Sequence, residues 1–147
     1  MNKINLGCGR DYRDGWVNTD ISHETKADYY FSVTDTFPFE DNSASEIYCS
    51  GVLEQILENS GLINAMNECH RVLENGGKLT IIVPNAKYAI AHQDPMDCRK
   101  FTIPTFNYFI EGDRHYQLYG SVYGFKAWKM ESVVENERGI LTVTLIK

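Results

Sequence analysis

The chain has 147 residues, 43% of them hydrophobic and 12% aromatic, which is enough apolar material for one domain with its own core and too little for two, so residues 1–147 read as a single domain. Its formal net charge of −6 and the lack of any lysine or arginine cluster disfavour a nucleic-acid partner, because phosphate backbones are bound through positive charge. No apolar run approaches the ~20 residues that span a bilayer, the four cysteines form neither a C-x-x-C pair nor a zinc spacing, and the N-terminus shows no charged-then-apolar leader, so a reduced, cytoplasmic protein without a membrane segment is expected.

In chain order, residues 3–6 and 15–19 read as the first two strands, 27–31 as an aromatic third and 45–49 as a fourth. From Leu62 the apolar positions Leu62, Ile63, Met66, Cys69 and Leu73 recur at helical spacing, with Asn59 and Ser60 as caps and Gly76-Gly77 ending the run. Residues 78–83 carry Leu79, Ile81, Ile82 and Val83, a buried strand of the kind parallel sheets use, and Pro84 stops it. Residues 125–134 and 140–147 are strand-like runs joined by a polar turn ending in Gly139, which suits an antiparallel hairpin. The order predicts an α/β, Rossmann-like fold: a mostly parallel sheet flanked by helices, with a C-terminal antiparallel hairpin. One connection is short, since residues 7–16 offer ten positions where a parallel crossover takes about a dozen. That leaves room for a loop with one helical turn.

Asn5-Leu6-Gly7-Cys8-Gly9 follows the first strand, and Asp20 ends the second. Two glycines separated by one residue let the backbone turn sharply and approach a ligand, while a carboxylate at the next strand end can accept both hydroxyls of a ribose. The third glycine and full helix of a dinucleotide fingerprint are missing, as is a G-x-x-x-x-G-K-[ST] loop. A nucleoside without phosphate remains, and S-adenosylmethionine fits.

Three further stretches support that choice: Phe37-Pro38-Phe39-Glu40-Asp41-Asn42-Ser43, then Glu46-Ile47-Tyr48-Cys49-Ser50-Gly51-Val52-Leu53-Glu54-Gln55-Ile56, then His70-Arg71-Val72-Leu73-Glu74-Asn75-Gly76-Gly77-Lys78-Leu79. With these, residues 3–83 resemble the class I S-adenosylmethionine-dependent methyltransferases. More narrowly, they resemble compact members that open with N-L-G-C-G, continue G-W-x-N-x-D and carry L-P-F-x-D-N-S and H-V-L-E-H-I. The resemblance implies cofactor contacts from Asn5, Gly7, Cys8, Gly9, Asp20 and Ile21, adenine contacts from Ser32 and Val33, and contacts to the methionine half from Ser50 and Gly51.

The sequence departs from its relatives at several of these positions. Ser32 stands where they commonly have Asp, and Gly51 and Gln55 where they often have His. Asp94-Pro95-Met96-Asp97-Cys98-Arg99-Lys100-Phe101-Thr102 looks like D-P-T-H-x-R-x-F-T with Asp97 replacing a third histidine. A base for the acceptor would come from Asp94, Asp97 or His92, and no metal is expected because the His and Asp spacings match no recognised ligand pattern. Glu54 reads as structural, and His70 and Arg71 as a solvated or capped helix end. The dense aromatics of residues 101–125 read as core cover or as the frame of an apolar or sugar substrate.

The function expected is methyl transfer from S-adenosylmethionine to a small-molecule or glycan-type acceptor. Two alternatives stand beside it: a degenerate cofactor-binding or interaction module, and an enzyme that breaks the cofactor down. With the first strand read from residue 3, the N-terminal helices that cover the cofactor in many larger relatives are expected to be missing. Residues 85–124 or a second subunit, in a homo-oligomer, would then close the site.

Overall fold

A computed structural model describes residues 1–147. The strands are β1 (Asn2–Leu6), β2 (Val17–Asp20), β3 (Tyr29–Tyr30), β4 (Ala44–Ser50), β5 (Leu73–Pro84), β6 (Lys129–Glu135) and β7 (Ile140–Ile146), and the one long helix, α1, is Asn59–Val72. They form one seven-stranded sheet in the order β3-β2-β1-β4-β5-β7-β6. The first five strands are parallel, and β7 runs antiparallel to both β5 and β6.

Helix α1 buries Leu62, Ala65, Met66, Cys69 and Val72, one stripe at helical spacing. That stripe joins Ile47 and Cys49 of β4, Leu79, Ile81 and Val83 of β5, and Leu141, Val143 and Leu145 of β7 in a single core. Between β5 and β6, where a regular crossover helix would lie, Phe101, Phe106, Phe109, Phe125 and Trp128 enter the same core. Their rings meet in sequence, with centroids 5.7 Å apart for Phe101 and Phe106, 6.0 Å for Phe106 and Phe109, and 4.7 Å for Phe109 and Phe125. These aromatics are core, as one of the two sequence readings had it; Tyr108, Tyr119 and Tyr123 stack at the surface instead.

Over β1 and β2 the other face of the sheet is covered by the loop of residues 7–16, which forms turns and no helix. Two buried asparagines hold it down. Asn5 Nδ2 donates to Asp11 O at 2.6 Å and to Asn18 Oδ1 at 3.0 Å, while Asn18 Nδ2 donates to Arg13 O and Trp16 O. The Arg13 guanidinium then lies 3.5 Å from the centre of the Tyr48 ring. Side-chain amides thus satisfy the backbone of a loop too short to satisfy itself.

Three local expectations are corrected. The third strand has two residues rather than five, the cap of α1 is Glu58 without a side-chain bond, and Gly76-Gly77 lies inside β5 rather than ending the helix. Arg71 is no solvated helix end either. Its guanidinium donates to Phe39 O, Phe37 O, Asp41 and both oxygens of Glu68, so it clamps the turn of residues 37–41 onto α1. That pairing holds the Glu68 carboxyl below its usual range. Arg71→Lys keeps the charge but loses the fork, and we expect a loss of about 1 kcal/mol in urea denaturation. An unchanged midpoint would show the clamp to be dispensable.

Candidate functional site

The strand order reverses between β1 and β4, and a cleft opens at the C-terminal ends of these strands, where open α/β sheets hold their ligands. Its volume is about 840 Å³, within the range of small-molecule sites. The loop after β1 contributes Gly7 and Gly9, the end of β2 Asp20 and Ile21, the segment after β3 Ser32 and Val33, and the end of β4 Gly51. Cleft residues that sequence reading missed include Phe31, Leu57, Glu58 and Asn64. Phe31 follows β3, and the other three lie at the start of α1 and the turn before it, which no local motif announces.

Gly7 and Gly9 both have positive φ, +66° and +51°. At Gly7 a Cβ would stand 2.3 Å from Val52 Cγ2, whereas at Gly9 it would meet nothing within 4 Å. We therefore expect Gly7→Ala to cost about 2 kcal/mol in chemical denaturation and Gly9→Ala about half as much. Equal losses would mean that the Val52 contact plays no part.

Asp20 organises this corner. Its Oδ2 accepts the Gly9 N–H at 2.7 Å and its Oδ1 accepts the Ser22 N–H at 2.8 Å, so one carboxylate ties the loop after β1 to the turn after β2 and keeps lone pairs free for a diol. Ile21 beside it is 69% exposed, an apolar side chain with nothing packed on it. The Ser32 hydroxyl is engaged with Thr34, at 2.8 Å from Thr34 Oγ1.

Asn5, Cys8 and Ser50 do not line the cleft. Asn5 is turned into the loop network already described. Cys8 is buried, with its N–H donating to Thr19 O and its thiol 3.5 Å from Lys26 O. Burial and then the Asp20 carboxylate push the Cys8 pKa up, so the thiol stays protonated.

Asp94, Asp97 and His92 also lie outside the lining. His92 Nε2 pairs with Ala86 O, and Asp94 Oδ1 accepts the Met96 N–H. Asp97 comes nearest, 3.5 Å from Nε2 of the cleft residue Gln55.

The donor set fits a nucleoside that carries positive rather than negative charge. No lysine, arginine or histidine lines the cleft, while Asp20 and Glu58 do, and Ile21, Phe31 and Val33 offer an apolar wall for a base. A phosphate would find no cation there.

Residues 8–81 match the family described as a methyltransferase domain. An uncharacterized protein of Methanocaldococcus jannaschii is 34% identical over 67 residues, 46% of this chain and 28% of that protein. The chain thus spans little more than a quarter of the length of the curated relative it matches. Among solved structures, a SAM-dependent methyltransferase from Archaeoglobus fulgidus superposes with a TM-score of 0.70 at 13% identity, covering 100% of this chain and 86% of that one. An S-adenosylmethionine-dependent methyltransferase from Mesorhizobium loti gives 0.67 at 13% identity, over 99% and 90%. At such identity the likeness is one of fold.

Proposed function

The chain belongs to the methyltransferase-domain family, and from that premise we propose that it binds S-adenosylmethionine in the cleft between β1 and β4 and methylates a small-molecule or glycan-type acceptor. The observation that carries the reading is the Asp20 carboxylate between Gly9 and Ser22, at the edge of a cleft without a single cationic side chain. In this reading Gly7 and Gly9 let the backbone approach the ligand, Asp20 accepts the ribose hydroxyls, and Ile21, Phe31 and Val33 flank the adenine. Bound, the cofactor supplies a sulfonium methyl group that is already activated. The protein's part is then to hold an acceptor in line at ~3 to 3.5 Å and to exclude water.

We take residues 1–147 as one domain carrying this activity. Calorimetric titration of S-adenosylmethionine into the protein, followed by an acceptor screen read as S-adenosylhomocysteine release, tests the proposal. Binding with acceptor-dependent release supports it. Binding without release would leave a cofactor-binding module, release without acceptor would mean cofactor breakdown, and no binding would sink the reading.

A further inference from the structure

The buried side-chain atoms that lack a hydrogen-bond partner, Glu54 Oε2 and Trp128 Nε1, belong to residues that line neither the cleft nor the second cavity of the chain. The unengaged donors that do line a cavity lie elsewhere. The second cavity, of about 430 Å³, opens between the first turns of α1 and the aromatic segment of residues 101–125, and its volume again suits a small molecule. The start of α1 separates it from the cleft. Ser60, Gly61 and Asn64 line the cleft, whereas Asn59 and Ile63, one helical turn apart, line the second cavity.

The two cavities are opposite in charge. Asp20 and Glu58 line the cleft and no cation does, while Arg99 lines the second cavity and no carboxylate does. Arg99 is held in place by neutral acceptors alone. Its Nε donates to Ile56 O at 3.0 Å and its Nη2 to Leu57 O at 3.1 Å and to Asn59 Oδ1 at 3.2 Å, which leaves Nη1 donating to nothing in the chain. None of the ion pairs includes Arg99, so its guanidinium is fixed and its charge unanswered. Asn59 is bound to it through Oδ1, and the Nδ2 amide of Asn59 likewise has no acceptor in the chain.

A guanidinium and an amide in contact, each with N–H groups to spare, match a carboxylate, which accepts on two oxygens and brings the opposite charge. The rest of the wall selects what the carboxylate is attached to. The rings of Tyr108 and Tyr123 are nearly parallel, 6° between their planes and 6.5 Å between centroids, and Ile63 and Phe125 add apolar surface. Flat aromatic walls favour a flat aromatic ligand.

We propose that this cavity is a second ligand site, for a small aromatic carboxylate, with the carboxylate on Arg99 and Asn59 and the ring against Tyr108 and Tyr123. The site is distinct from the cleft and does not depend on what the cleft binds.

The test uses hydrocinnamate and hydrocinnamyl alcohol, which share a ring and a chain and differ in the head group, titrated by calorimetry at neutral pH into the full chain. We expect the acid to bind about tenfold more tightly than the alcohol and Arg99→Gln to erase that preference. Tyr123→Ala, at a side chain 53% exposed, should weaken both probes about threefold or more and leave the preference intact. Asn59→Ala, at the exposed first residue of α1, should cut the preference about threefold, and it decides the matter if Arg99→Gln does not fold. Equal binding of the two probes to the wild type, binding of neither, wild-type affinity in Tyr123→Ala, or a preference that survives Arg99→Gln would overturn the assignment, as would an unchanged preference in Asn59→Ala where Arg99→Gln is unfolded.

Discussion

Asp20→Ala is expected to weaken S-adenosylmethionine binding by about a hundredfold or more, taking it out of calorimetric range. The wild-type carboxylate accepts the Gly9 N–H at 2.7 Å and the Ser22 N–H at 2.8 Å. Alanine releases both loops and removes the acceptor for the ribose hydroxyls. A hydrogen bond to a charged group contributes about 1.5–3 kcal/mol, and each 1.4 kcal/mol is about tenfold in affinity, so the loss of two such contacts gives the expected factor. Asp20→Asn keeps one acceptor oxygen and places N–H donors where an acceptor is required, so it should lose about tenfold. Circular dichroism and a melting curve separate lost binding from lost fold. Binding by Asp20→Ala at wild-type strength would remove Asp20 from the site and with it the main support for the proposed function.

Glu54→Gln should stabilise the protein at pH 8 by about 3 kcal/mol and do little at pH 4. Burial, reinforced by Asp97 and Asp94, raises the Glu54 pKa from 4.5 to about 7. In the unfolded chain the carboxyl releases its proton near 4.5. Between the two values the native state holds a proton that the unfolded state has lost, so stability falls as pH rises through this window and the loss is complete above pH 7. Glutamine has no such titration. The advantage of the variant should therefore be near zero below pH 4.5, grow up to about pH 7 and then level off. Urea denaturation across pH 4–8 measures it. A variant no more stable than wild type at pH 8 would show that the carboxylate has a partner in the native protein.

That Gly7, Gly9 and Asp20 meet at one cleft was legible in the sequence because it depends on local rules. Glycines after one strand and an acid at the end of the next need only the parallel pairing of β1 with β2 to meet. The helix stripe from Leu62 to Cys69 and the antiparallel hairpin of β6 and β7 were legible for the same reason: periodicity and turn chemistry act within a few residues. The third strand shortened because it lies at the sheet edge. There the Asp28 carboxylate accepts the Asn18 N–H at 2.7 Å, and a side chain takes over part of what a longer ladder would do.

Asn5 and Arg71 were misjudged for a common reason: the role of each is set by partners that no local motif announces. Asn5 is defined by Asp11 and Asn18, and Arg71 by the turn at residues 37–41. The sequence by itself determined the family, the mostly parallel strands and the C-terminal hairpin, since short-range pattern carries all three. Only the tertiary structure decided which polar groups are spent on holding loops and which is left buried without a partner, because burial and hydrogen bonding depend on segments that meet only after folding.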